Sequence, residues 1–323
     1  MTSGRLILFI ALAVLVALGL LGYGDFRETG KHLAHFPVTH FIAALGLAGL
    51  NYFFRFLRWA FYLKVLALPV PLGGSSLVFL AGLAMSVTPG KAGEVLKCYL
   101  LRDRWGLEVA RTLPVVLMER LTDLVTVLLL ALIGLALFPA PIVVVLAGVL
   151  IVCFLALLAI LFTGGRRLFE LPVVRRWKSG LTASQDALHQ LALPGVMAVA
   201  LALAAAAWLS EGLALWVILI GLDASLDIHR VLPIYAASTL VGAITTLPGG
   251  LVGTEGSMLA LLQQSGLARG TASASTLLVR LATLWFAVAV GLAAWVWLNR
   301  RGNPRQIVKG GGGPQGPALP EPR

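Results

Sequence analysis

Charge is what this sequence has least of. Only 12% of its 323 residues are Asp, Glu, Lys or Arg, about half the ~25% of a soluble domain. Hydrophobic residues reach 59%, and a single soluble core stops growing near ~250–300 residues. A water-soluble fold therefore has no place for this much apolar surface. Cysteine is nearly absent: Cys98 and Cys153 stand alone, outside any CxxC or Cys/His cluster, which argues against a disulfide framework or a thiolate metal site. The sequence also lacks HExxH, GxSxG, a P-loop and a GxGxxG that opens a helix after a strand. Nucleotide-driven pumping and enzymatic hydrolysis have no residues to carry them here, so neither an enzyme nor a cofactor is expected.

What is present is a series of apolar runs, several of them near the ~20 residues that span ~30 Å of hydrocarbon. They predict an all-α polytopic membrane protein with about six full transmembrane helices plus two broken hairpins. The full helices are expected at about 5–24, 41–68, 111–138, 142–162, 194–222 and 271–298. The first lacks a clear A-x-A cleavage site and reads as a retained helix rather than a signal peptide. The net charge of +11 is gathered in loops and at segment ends, above all at Arg166, Arg167, Arg175, Arg176 and Lys178. That pattern marks cytoplasmic anchoring, not a nucleic-acid surface. The polar stretch from Asp25 to His40 holds His32, His35 and His40 and reads as a wet loop. The tail 301–323 turns Gly/Pro-rich and reads as a disordered cytoplasmic tail.

Two apolar runs are interrupted in the same way. "VTPGKAGEVLK" contains Pro89, Gly90, Lys91, Gly93, Glu94 and Lys97, and "LPGGLVGTEG" contains Pro248, Gly249, Gly250, Gly253 and Glu255. Proline removes a backbone donor and disfavours helix in the residue before it. Each run thus splits into two half-helices too short to span, about 75–88 with 91–102 and 231–247 with 253–265. The surroundings match as well. Pro89 precedes Arg120 by 31 residues, and Pro248 precedes Arg280 by 32. Glu94 precedes Arg120 by 26, and Glu255 precedes Arg280 by 25. Gly106 and Gly266 each precede their arginine by 14. These spacings describe an internal repeat, about 41–138 and 194–298, within a membrane domain of residues 1–300. Counting crossings from a cytoplasmic N-terminus brings the first hairpin in from the cytoplasm, the second from outside, and the C-terminus back inside. Inverted repeats with broken helices are a transporter signature.

An ionisable group at membrane depth costs roughly 2.5–3.5 kcal/mol on insertion scales. Glu94, Glu119, Arg120, Asp123, Glu211, Glu255 and Arg280 are the candidates for such depth. Each either pairs internally or touches substrate, and the spacings predict the pairs Glu94–Arg120 and Glu255–Arg280. Half-helix N-termini are partly positive and suit phosphate, with Lys91 and Lys97 beside the first. Arg55, Arg58 and Lys64 read as side chains that snorkel to headgroups. Trp59 and Trp216 read as anchors or packing, and Ser86 and Thr245 as satisfiers of backbone groups freed by the breaks.

The motifs "PGKAGEVLKCYLLR", "MERLTDL" and "LPGGLVGTEGSM" followed by "LLVRL" resemble the lysylphosphatidylglycerol synthase transmembrane, or flippase-like, family over about residues 5–300. The resemblance implies a multi-pass cell-membrane protein that moves a lipid between leaflets. The matching positions are Pro89, Gly90, Gly93, Glu94, Glu119, Arg120, Asp123, Pro248, Gly249, Gly250, Gly253, Glu255 and Arg280. Fused synthetases of the family add a soluble aminoacyl-transfer domain. This chain ends soon after its last helix, so that reaction is not expected. The partners implied are membrane lipids with an anionic or phosphate-bearing headgroup and an envelope-lipid biosynthetic enzyme. Two other readings remain open: a secondary transporter of a small anionic or polar solute, with Glu94 or Glu255 as proton site, and a non-transporting membrane partner of such an enzyme.

Overall fold

Backbone inside a bilayer must satisfy its own N–H and C=O groups, which leaves helices as the economical form for a single chain of this composition. The computed structural model describes residues 14–88, 93–134 and 181–300, with scattered positions between 144 and 159, and those residues form helices and no strand. In chain order the helices are α1 (Val14–Tyr23), α2 (Phe26–Ala34), α3 (Val38–Val65), α4 (Leu72–Leu83), α5 (Leu96–Trp105), α6 (Val109–Ile133), α7 (Leu181–Ala192), α8 (Pro194–Gly221), α9 (Ile228–Ile244), α10 (Gly253–Gln264), α11 (Arg269–Arg280) and α12 (Phe286–Arg300).

Among the described residues, three helical stretches are long and apolar enough to cross a membrane: α3, α8 and the continuous run Arg269–Arg300. That last run joins α11 to α12 through one π-helical turn, Leu281–Trp285, and an inserted residue of this kind often marks a functional site. Helix α6 is 25 residues long, about 38 Å, but its middle turns carry Glu119, Arg120 and Asp123. The half-helices are short, 12 residues for α4, 10 for α5, 17 for α9 and 12 for α10. None of them alone reaches much beyond ~25 Å.

Two expectations need correction. The stretch from Asp25 to His40 is not a plain loop. Asp25 accepts the Arg27 amide at 2.8 Å and caps α2, which packs on α11. The polar connection after residue 164 ends in α7, whose buried Ala187, Leu188 and Leu191 pack against α6. In both, apolar residues at helical spacing were diluted by the charges around them. The helix expected at 142–162 falls largely outside the described residues.

The long helices α3 and α8 pack along one another. Their contact is made of small side chains, with Ala44, Ala48, Ala200, Ala204 and Ala207 fully buried. Such residues let membrane helices approach closely, and the Asn51 side-chain amide donates to the Ala207 carbonyl across the seam at 2.8 Å. The outer helices cross over. α4 lies against α12, and α9 lies against α6. Gly291 of α12 faces the backbone of Leu83 and Ala84 with no room for a side chain.

Candidate functional site

Both interruptions are built by the same devices. The first runs through a 3₁₀ turn, Ala84–Val87, to Thr88. The Thr88 hydroxyl donates to the Met85 carbonyl at 2.7 Å and accepts the Gly93 amide at 2.8 Å. The second runs through Thr246, a 3₁₀ turn at Pro248–Gly250, and Val252. Thr245 donates to the Gly242 carbonyl at 2.8 Å. Thr245 thus fills the expected role, whereas in the first break Thr88 rather than Ser86 does so. Gly93 and Gly253 stand where a Cβ would collide with Thr88 and Thr245 respectively, so each chain end doubles back over a threonine. Pro89, Gly90 and Lys91 lie outside the described residues. The two 3₁₀ turns touch each other, which brings both breaks to one place.

The expected ion pairs form. The Arg120 guanidinium donates to Glu94 at 2.7 Å, and Arg280 Nε donates to Glu255 at 2.6 Å. Arg280 also donates from Nη2 to the Gly249 carbonyl at 2.6 Å, so one side chain ties α11 to both sides of the second break. Glu255 lies in the first turn of α10, while Glu94 lies in the 3₁₀ turn just before α5.

Around Glu94 the first unit carries a larger network. Lys97 donates to Glu119 at 2.6 Å and lies over the Trp59 ring, 4.6 Å from its centroid. Arg58 reaches Asp123 at 2.8 Å and donates to Thr122 at 2.9 Å. Arg55 sits 3.5 Å from Asp123 and 3.8 Å from Glu94. Arg120 closes the ring at 3.2 Å from Asp123. The snorkelling expectation for Arg55 and Arg58 is therefore wrong: they are 7% and 0% exposed, and only Lys64 points outward. Charges taken out of water must meet opposite charges and hydrogen bonds, because an uncompensated buried charge costs several kcal/mol. The clue was the Arg55–Arg58 spacing of one helical turn, which puts both on the face of α3 that also carries Trp59. Lys97, expected beside a phosphate, is instead 2% exposed and held within this network.

A cavity of about 300 Å³ opens between the breaks. Arg55, Arg120, Asp123, Gly249, Gly250 and Arg280 border it. Glu94 and Glu255 are counter-ions to these cations, while Glu119 pairs with Lys97. Glu211, Tyr235, Tyr52 and Trp208 complete the polar wall. Tyr235 donates to Glu211 at 2.7 Å, Trp208 Nε1 donates to Asp123 at 3.2 Å, and Tyr52 donates at 2.7 Å to the Thr283 carbonyl in the π turn. Among the described residues no group of three His, Cys, Asp or Glu is arranged to hold a metal ion. The arrangement offers cationic hydrogen-bond donors to an anion.

The profile of the lysylphosphatidylglycerol synthase TM region matches residues 10–291, which include both breaks and both arginines. The chain belongs to this family. It is also similar to a UPF0104 membrane protein of Methanothermobacter thermautotrophicus, 26% identical over 121 residues. That match spans 37% of this chain and 36% of the archaeal protein, little more than a third of either. Family membership and the helical stretches place the protein in a membrane.

Proposed function

We propose that this protein is a flippase-like lipid transporter. An anionic, phosphate-bearing headgroup crosses through the cavity between the breaks while the acyl chains stay in the bilayer. The observation that carries the reading is the convergence of Arg55, Arg120 and Arg280 from two separate units on one cavity of about 300 Å³. That volume is at the small end of ligand sites, ~300–1,000 Å³, enough for a headgroup and too little for a whole diacyl lipid. Arg120 and Arg280 bind the phosphate, and the residues of the two breaks shape the path.

The architecture that fits this reading is an inverted repeat. The helix pair α3–α8 forms the seam, and α4 on α12 mirrors α9 on α6, as a two-fold axis in the membrane plane would relate them. The hairpins α4–α5 and α9–α10 then enter from opposite faces of the cell membrane, with both chain ends cytoplasmic. A small anionic solute is the second reading, favoured by the modest cavity size.

Purified protein in liposomes, with a headgroup-labelled anionic phospholipid and leaflet-selective quenching, tests the proposal. Arg280→Gln is expected to lower lipid movement by more than it lowers folded yield, and Arg280→Lys to restore part, since lysine keeps the charge and loses the planar fork. If the Gln variant folds and moves lipid at the wild-type rate, the arginine path is wrong. Movement of a soluble anion without lipid would favour the second reading.

A further inference from the structure

We infer that Glu211 is the proton-binding group of the cavity, so that each monoanionic phosphate group that enters is accompanied by one proton. The inference rests on the reading of the cavity as an anion site.

Charge balance is the first argument. The described core holds five cations, Arg55, Arg58, Lys97, Arg120 and Arg280, and five carboxylates, Glu94, Glu119, Asp123, Glu211 and Glu255. With every group ionised these ten described groups sum to zero. An entering monoanion leaves one negative charge in excess, at a depth where water screens poorly. A proton taken up by one carboxylate cancels that excess.

Geometry selects which one. Glu94, Glu119, Asp123 and Glu255 each have a cation at 2.6–2.8 Å. Protonating any of these breaks an ion pair of 2.6–2.8 Å. Glu211 differs: among the described residues no Lys or Arg lies within ion-pair distance of it, and its contact is the Tyr235 hydroxyl at 2.7 Å. A phenol can donate to a carboxylate or accept from a carboxylic acid, so the pair keeps a hydrogen bond in both states. The groups that face Glu211 across the cavity are Tyr52 and Arg55 from α3, Arg120 and Asp123 from α6, Tyr235 from α9 and Arg280 at the end of α11. Glu211 also borders the cavity itself, whereas Glu94 and Glu255, the proton sites expected from sequence, do not. The step is a simple one: a proton from the adjoining water adds to a carboxylate oxygen of Glu211 as the anion binds, and leaves as the anion departs.

The test counts protons. The full chain in detergent is titrated with two permanent monoanions, a short-chain phosphatidylglycerol and its deacylated glycerophosphoglycerol headgroup. Calorimetry in buffers of different ionisation enthalpy then gives the protons taken up per anion. Wild type is expected to take up about one, and its affinity to rise about tenfold per pH unit of acidification wherever one proton accompanies each anion. Glu211→Gln is expected to take up none and to lose the pH dependence. Glu211→Asp, which keeps a carboxyl, retains the uptake, and thermal unfolding checks that each variant is folded. Wild-type binding without proton uptake overturns the inference, as does undiminished uptake in the Gln variant. Failure of both probes to bind overturns it together with the anion-site reading. Binding with uptake but no lipid movement in liposomes upholds the coupling and refutes lipid transport. Binding of the deacylated probe alone upholds the coupling and assigns it to a soluble anion.

Discussion

Replacing Gly291 by alanine sets two effects against each other. In an open helix the change favours folding, because glycine is the poorer helix former by ~1 kcal/mol. At Gly291, however, the new Cβ would lie 2.8 Å from both Ala84 Cα and the Leu83 carbonyl carbon and nearer still to the Ala84 nitrogen. Carbon atoms in contact prefer ~3.5–4.0 Å, so α12 and the first break must separate by the better part of an ångström. The obstacle is backbone and has no rotamer to yield. Overpacking of this sort costs ~1–3 kcal/mol, which exceeds the helical gain or cancels it. Gly46→Ala is the control. Gly46 lies within the long helix α3, is exposed, and nothing stands within 4 Å of an added Cβ. Thermal unfolding of both variants in one detergent is expected to leave Gly291→Ala ~1–3 kcal/mol below the control. Equal stabilities would mean that α12 and the first break are not in backbone contact, and the crossed packing would be wrong.

Further predictions concern the ion network, the strained break and the topology. Asp123→Ala strands Arg58, which is fully buried, and is expected to cost ~3–5 kcal/mol in thermal unfolding. The double variant Arg58→Met/Asp123→Leu should lose less, and an equal loss would deny the pairing. Val252 has φ 71° and ψ −52°, a strained conformation for a β-branched residue. Val252→Gly should therefore raise thermal stability by ~1 kcal/mol, and a fall would show that its side chain holds the break. In a chain with Cys98 and Cys153 removed, cysteines at positions 104 and 269 should be labelled from opposite sides of sealed vesicles. Labelling from one side would sink the inverted arrangement.

The breaks, their partners and the two arginine–carboxylate pairs were legible because the motifs recur at nearly constant spacing. Each departure had a physical cause. Arg55 and Arg58 looked like headgroup anchors because they occupy the second half of a long apolar helix. Only the folded chain shows that Asp123, on a different helix, turns them inward. Tyr235 carries no charge and lies outside the repeated motifs, so its bond to Glu211 could not be read from spacing. Helix α2 was hidden by Arg27, Glu28 and Lys31, exposed charges that favour a loop reading of a short amphipathic helix.

The contact between Gly291 and Ala84 also orders events in time. The two residues are 207 positions apart in the chain. At about 5–20 residues per second of synthesis, the first break is made ~10–40 s before the surface that covers it. During that interval the nascent half already holds the seven residues of its ion network, Arg55, Arg58, Glu94, Lys97, Glu119, Arg120 and Asp123, in or near the bilayer. Arg280 does not yet exist, and the wall of α12 is missing. The newborn first half must therefore be sheltered, by the insertion machinery or by its own ion pairs, until the last helix arrives to complete it.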